Sequence, residues 1–329
     1  MPARPQRFKR FGRIESRHYD IVRVSESVFA VRGKNDSGIP TNSSIIVGDN
    51  GVAVVDSHQR PSLDREVIGI VRQITDRPIR YLINTHWHQD HTLGNQVFEE
   101  FAVIVGHETT KAELINRVAP NIELQRQVLP EQQRQAREEL SMVTDAEQRR
   151  RLALQIELDE EYIEELSSIH VTPPGRVFKE SYKLDISRQP IELLHFGLGH
   201  THGDVIVHLP QEGTIILGDL LTAGQPFMRK NDAVPSKWGP TLRRIAKLPW
   251  DKAVIGHGWT DNPRDRLSVV ADYLETLVAE VSRVADLPAA EVPAAVLPRL
   301  RPFAQHFPYF DQAVFDNIER TWEEIRSHG

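Results

Sequence analysis

Cysteine is absent from the 329 residues. That excludes a disulfide framework and any thiolate metal ligand. Apolar runs of membrane length are also missing, and the first 17 residues, with six Arg or Lys, lack the apolar core of a signal peptide. There is no excess of positive charge either. A net charge of -6 gives no electrostatic reason to expect a nucleic acid or an anionic membrane as partner. These absences lead us to expect a cytoplasmic protein that binds neither nucleic acid nor membrane. What remains is ordinary for a folded enzyme-sized chain: 40% hydrophobic residues suffice for a core, and 26% are charged. The length suggests one large core with additions.

The richest stretch is Thr85-His86-Trp87-His88-Gln89-Asp90-His91, directly after the apolar run Ile79-Arg80-Tyr81-Leu82-Ile83. A strand that ends in such a cluster delivers several metal ligands to one point. Neutral imidazole is a common ligand for zinc and its neighbours, and a carboxylate beside it compensates charge. Packed side by side without a metal, these groups repel when protonated and serve no packing purpose. Three later segments carry the same kinds of donor after strand-like runs: Gly199-His200-Thr201-His202-Gly203-Asp204, Gly218-Asp219-Leu220-Leu221 and Gly256-His257-Gly258. Asp219 alone is an ordinary turn former and His257 an ordinary loop histidine; the ordered set is what argues for a metal site. Asp56, closing the run Val52-Ala53-Val54-Val55, is a candidate acceptor for the far nitrogen of a ligand imidazole. Asn42, His58, His202, Lys237 and Trp238 are candidates for the wall of the pocket.

The rest of the chain reads as scaffold. Residues 1–18 form a basic extension. Residues 20–24 and 28–32 alternate around Ser25-Glu26-Ser27 as one hairpin, and a second closes through Asp49-Asn50-Gly51, where Asn-Gly takes positive φ readily. The polar loop 37–43 before it is placed to border a site. Pro61 opens a helix that Asp76-Arg77-Pro78 stops. A short helix is expected over 95–101 and a strand over 102–106. Residues 108–170 are rich in Gln, Glu and Arg and read as a helical insertion, docked on the core or forming a homodimer contact in preference to a lid. In it Thr144-Asp145-Ala146-Glu147 has the spacing of a capping box led by Thr144. Strands are expected over 191–194, 205–209, 214–217 and 252–255, with a helix at 242–248. The main unit is taken as 19–260. Residues 261–329 form a C-terminal extension of two helices, separated by a Pro/Ala-rich connector at 287–302.

With these positions filled in order, the chain from about residue 20 to 257 resembles the metallo-β-lactamase-fold hydrolase superfamily. The resemblance implies a four-layer αββα sandwich of the α/β class with a metal pair at one edge. His86, His88 and His200 would hold the first ion; Asp90, His91 and His257 the second; Asp219 would bridge them. Two Zn2+ are implied, and donors of N and O also accept Fe or Mn. The implied function is hydrolysis of a small ester, lactone, amide or related molecule by a hydroxide held between the metals, with Asp90 also relaying a proton to the leaving group. Departures narrow this reading. Lactamases of the superfamily with a Cys metal ligand are not matched, so β-lactam hydrolysis is expected only as a side activity. Gly-His-Thr-His-Gly-Asp differs from the Gly-His-Thr-Pro-Gly-His of glutathione-thioester hydrolases, and Gln89 stands where flavin-linked di-iron members carry Glu. Two other readings remain: a mononuclear iron oxygenase of sulfur compounds on the same scaffold, and a partner-binding protein with structural metals.

Overall fold

The computed structural model describes residues 14–34, 39, 41–187, 190–228 and 232–327. Most of the basic extension, and residues 37, 38 and 40 of the polar loop, lie outside that set. Strands β1 (Tyr19–Arg23) and β2 (Val28–Gly33) form the first hairpin, and β3 (Ser43–Val47) and β4 (Val52–Val55) the second. The second turn differs from expectation: neither Asn50 nor Gly51 has a positive φ. Gly48 N donates to Gly51 O at 2.8 Å and Asn50 N to Ile186 O at 3.2 Å, so a contact across the sandwich shapes the turn. Helix α1 (Pro61–Ile74) buries Leu63, Val67, Ile70, Val71 and Ile74 along one face, and β5 (Ile79–Ile83) returns parallel to β4.

The histidine cluster is partly helical, because α2 (Gln89–Thr92) begins inside it and a 3-10 turn over Leu93–Val97 follows. Then come β6 (Val103–His107), α3 (Glu108–Glu113), α4 (Ala119–Met142), α5 (Ala146–Leu166) and β7 (Arg176–Phe178). The cap of α5 is displaced by one residue from the sequence reading. Asp145, not Thr144, accepts Gln148 N at 2.7 Å, while Glu147 turns outward to pair with Arg151. The Asp145 carboxylate thus satisfies an orphan N–H of the first turn in place of the Thr144 hydroxyl.

The first sheet runs β1-β2-β3-β4-β5-β6-β7. The second is built from β8 (Ser181–Lys183), β9 (Glu192–Leu194), β10 (Ile206–Leu209) and β11 (Thr214–Ile216); after α6 (Pro235–Ile245), β12 (Lys252–Val254) completes the order β12-β11-β10-β9-β8. Helices α7 (Pro263–Arg283), α8 (Val292–Leu300) and α9 (Phe310–Ser327) follow.

Strand alternation explains the layers. Val28, Ala30, Ile46, Val55 and Ile83 point inward to meet Leu193, Val205, Val207, Ile216 and Val254 of the second sheet. Their neighbours Phe29, Val31, Ile45, Val54 and Leu82 point the other way, onto α1. On the far side Ile206, Ile215 and Ala253 pack under α6, α7 and α9 through Trp238, Leu242, Leu274 and Ile318. The result is helix, sheet, sheet, helix, the expected αββα arrangement of an α/β protein.

Two C-terminal features differ from expectation. Helix α6 starts at Pro235, a full two turns earlier than residue 242. The connector at 287–302 contains α8, although Pro298 lies within it. Val292, Val296 and Leu300 recur every four residues and are buried. That continuous face outweighs the lost hydrogen bond near the end of the helix. Between β6 and β7, α4 and α5 pack together, and their base closes on the cluster loop. Leu114, Val118, Ile122, Tyr162 and Leu166 surround Trp87 and Leu93. No helix among the described residues is long and apolar enough to cross a membrane.

Candidate metal centre

The parallel pairs β4–β5 and β11–β12 end at one edge of the sandwich. Asp56, the Thr85–His91 segment, Asp219 and His257 all follow those strand ends, and the loop between β9 and β10 adds His200. Rigid strands thereby deliver donors from four separate segments, with Asp56 from a fifth behind them, to one place. His86, His88, His200 and Asp219 form one group whose ligand atoms lie within 4.8 Å of one another; Asp90, His91 and His257 form a second. The Asp219 carboxylate reaches both groups. Its oxygens lie 3.5 Å from His200 Nε2 and 3.9 Å from His86 Nε2 on one side, and 3.0 Å from His257 Nε2 and 3.3 Å from His91 Nε2 on the other. Asp90 Oδ2 is 3.3 Å from His257 Nε2 and 3.5 Å from His91 Nε2.

The outward nitrogens of three histidines are tied back into the protein, which fixes the tautomers. Thr85 Oγ1 donates to Asp56 Oδ2 at 2.7 Å, so the Nδ1 of His86, 3.0 Å away, supplies the proton to that hydroxyl oxygen. His91 Nδ1 is 2.9 Å from the same Asp56 Oδ2, and His88 Nε2 is 3.2 Å from Asp232 Oδ2. Each ring therefore presents a bare lone pair to the centre. Without a cation these lone pairs oppose one another: His200 Nε2 is 3.0 Å from His88 Nδ1, and His91 Nε2 is 3.3 Å from His257 Nε2. His86 Nε2 is buried and has no hydrogen bond in the protein. An orphaned buried acceptor facing other acceptors and two carboxylates is the donor set of a metal site, and the residues fit the group that they imply.

Electrostatics agree. Burial pushes the His86 pKa well below its usual value, aided by the neighbouring His91 and His88. Burial opposes charge on His91 too, but Asp219, Asp90 and Asp56 outweigh it and raise its pKa well above the usual range. Asp219 is held well below the carboxylate range despite burial, because His257 and His91 face it. Against burial, Asp219 and Asp90 likewise raise the His257 pKa, so the carboxylates favour positive charge at the point where a metal's charge would act.

Two glycines make room for this packing. Gly218 sits at φ +52°, and a Cβ there would lie 2.6 Å from Thr85 Oγ1. At Gly256 a Cβ would lie 1.9 Å from Asp219 Oδ1 and 2.8 Å from the carbonyl carbon of Gly218.

All seven donor positions singled out from sequence converge, and Asp56 lies behind them. The pocket-wall candidates scatter. Trp238 is buried beneath His200, ring centres 5.3 Å apart, with its Nε1 donating to Leu220 O. Asn42 holds the His257 loop, its Nδ2 donating to Ile255 O and Gly258 O. His58 lines a smaller cavity of about 250 Å3 on the other side of Asp90. His202 and Lys237 are exposed and lie off the cavity wall. His195, five residues before His200, stacks on His107 with ring centres 4.3 Å apart and is not among the converging donors.

Sequence reading missed several neighbours of the site. Thr41 Oγ1 donates to Asp90 Oδ2 at 2.7 Å, and only the flagged polar loop 37–43 hinted at it. Asp232 and its partner Arg117 carried no signal, since each is a single charged residue in an unremarkable stretch. The C-terminal extension, given no part in the site by the sequence, supplies a wall of the main cavity. This cavity, of about 950 Å3, has His88, Asp90, His200, Asp219 and His257 at its floor and Phe227, Met228, Pro308, Tyr309 and Ala313 along its sides.

Comparison with known proteins extends this picture. The family profile described as the Metallo-beta-lactamase superfamily matches residues 36–257. The chain is similar to the 2,4-dinitroanisole O-demethylase subunit alpha of Nocardioides sp. (strain JS1661), 24% identical over 223 residues, which are 67% of this chain and 53% of that protein. It thus spans about half the length of that relative. Among solved structures, the metallo-beta-lactamase from Pontibacter korlensis superposes with a TM-score of 0.57 at 17% identity, covering 78% of this chain and 99% of that one. The metallo-beta-lactamase FIM-1 from Pseudomonas aeruginosa, in its mono-zinc form, gives 0.53 at 15% identity, covering 79% and 98%. At these identities the structural likeness speaks for the fold. The matched stretch from 36 to 257 contains every converging donor, strands β3 to β7 of the first sheet and the whole of the second, and the chain belongs to the metallo-beta-lactamase superfamily.

Proposed function

We propose that the protein is a binuclear zinc-dependent hydrolase acting on a small, largely apolar molecule with an ester, lactone, amide or related bond. One observation carries the reading: two donor groups share Asp219 at the floor of a cavity whose sides are mostly apolar. Metal ions bound there supply Lewis acidity and acidify a water to a nucleophile at neutral pH. The side chains do the rest. His86, His88 and His200 would hold one ion and Asp90, His91 and His257 the other, with Asp219 facing both donor groups. Asp90 lines the cavity with one oxygen fixed by Thr41, which suits it to pass a proton to the leaving group. Phe227, Met228, Pro308 and Tyr309 bind the substrate's apolar part and exclude water around the reacting bond.

The relative named for 2,4-dinitroanisole adds an aryl methyl ether to the bonds worth testing, and β-lactams belong on the panel as a side activity. We place the protein in the cytoplasm, acting on small molecules with no nucleic-acid or membrane partner. The homodimer contact through the insertion is a proposal of the same kind, tested by size exclusion with α4 and α5 shortened.

The function is tested by stripping the protein with a chelator, reloading it with Zn2+ and assaying nitrophenyl esters, lactones, an anilide, an aryl methyl ether and a β-lactam. Turnover is expected in the reloaded protein and not in the stripped one. If reloaded wild type cleaves nothing on the panel faster than Asp219→Ala does, the hydrolase reading is wrong.

A further inference from the structure

The outward nitrogen of His88 is held by a carboxylate far away in sequence. Asp232, buried in the chain ahead of α6, has Oδ2 3.2 Å from His88 Nε2. Its Oδ1 accepts a hydrogen bond from the guanidinium of Arg117. Arg117 lies between α3 and α4, within the helical insertion, where Glu113 one turn earlier is 3.4 Å away. The same guanidinium sits over the ring of Trp87, 4.4 Å from its centre. Trp87 is the residue before His88, and it is buried against Leu114, Val118 and Ile122 of the insertion. The insertion therefore grips the metal loop twice, by apolar burial at Trp87 and by a charged relay to His88.

The relay has a defined physical task. A free imidazole carries its proton on either nitrogen, and His88 offers Nδ1 to the centre only when Nε2 bears the proton. A carboxylate at Nε2 imposes that tautomer and fixes the ring plane. Left alone, a buried carboxylate is costly, and a lone Asp232 would swing toward water or take up a proton. Arg117 supplies the opposite charge, and its second contact, over Trp87, sets where that charge lies.

We propose that Arg117 and Asp232 are positioning residues for His88, and that the insertion is a fixed strut of the metal centre, not a lid opening over it. This inference rests on the reading of His88 as a ligand through Nδ1.

The test uses the full-length chain, stripped of metal and titrated with Zn2+ against a chromophoric chelator. Absorption spectra after Co2+ loading report the ligand geometry. The variants are Asp232→Asn, Asp232→Ala, Arg117→Ala, Arg117→Lys and His88→Ala. Asp232→Asn and Arg117→Ala are expected to weaken binding of one ion by about ten- to a hundred-fold, to leave the second ion unchanged and to alter the Co2+ bands. Arg117→Lys should recover part of the loss. Should Asp232→Ala fail to fold, Asp232→Asn and the Arg117 pair carry the test. The inference is overturned if both relay variants bind both ions as wild type does while His88→Ala loses one. Retention of both ions by His88→Ala would instead overturn the ligand reading, and the inference with it.

Discussion

Asp56 offers a prediction whose sign runs against ordinary substitution behaviour. It is the only non-glycine residue with a positive φ among the described residues, at 60°, and it is 2% exposed. Its carboxylate accepts Thr85 N at 2.7 Å, Thr85 Oγ1 at 2.7 Å and His91 Nδ1 at 2.9 Å. Asp56→Ala leaves three donors buried without a partner, at roughly 1–3 kcal/mol for each that water does not reach. The expected loss is on the order of 3–6 kcal/mol, a large part of the stability of a typical domain. Asp56→Gly loses the same hydrogen bonds but releases the left-handed strain, which costs about 1–2 kcal/mol for a residue with a Cβ. Glycine's greater freedom in the unfolded chain takes back about 0.5–1 kcal/mol. The glycine variant should therefore be the more stable of the two by roughly 0.5–1 kcal/mol, the reverse of the order at a regular position. Urea unfolding of the metal-free proteins at neutral pH measures both. The reasoning is refuted if Asp56→Ala unfolds within about 0.5 kcal/mol of wild type, or if it is more stable than Asp56→Gly.

Further outcomes follow from the same structure. Gly256→Ala places a methyl against Asp219 and the backbone at Gly218, so metal content should fall while the far-ultraviolet spectrum stays unchanged; full retention of metal would contradict the packing. Phe227→Ala and Tyr309→Ala remove half-exposed apolar surface from the cavity wall, and each should raise KM for apolar substrates by roughly five-fold with kcat little changed. His58 is buried, and desolvation lowers its pKa from 6.5 to about 3, with His91 adding to the effect. The unfolded chain binds that proton below 6.5 and the folded chain does not. The stability it contributes is thus complete above pH 6.5 and is lost as pH falls toward 3. At pH 5 the loss is about 2 kcal/mol, and a plot of stability against pH should be correspondingly flatter in His58→Gln.

The sequence made the fold legible where periodicity had only one solution. The alternation in β1 and β2 and the helical spacing of Leu63, Val67, Ile70 and Ile74 left little choice of face. The seven donors were legible because no packing role explains His86, His88, Asp90 and His91 together. Features decided by distant contacts were not legible. Asn50-Gly51 turns without positive φ because Ile186 fixes it, and α8 forms around Pro298 because Val292, Val296 and Leu300 find a core to fill. Asp232 and Arg117 are separated by more than a hundred positions in the chain, and only folding shows them to be one unit behind His88. The cavity wall escaped for the same reason: Tyr309 and Ala313 belong to C-terminal elements whose periodicity reports only that one face is buried.

The central claim is that seven side chains hold two metal ions with Asp219 between them. Elemental analysis of the purified full-length protein, wild type beside Asp219→Ala, tests it most directly. The account predicts about two zinc ions per wild-type chain and a clear loss in the variant, because Asp219 faces both donor groups. A single ion, unchanged by the substitution, would contradict it.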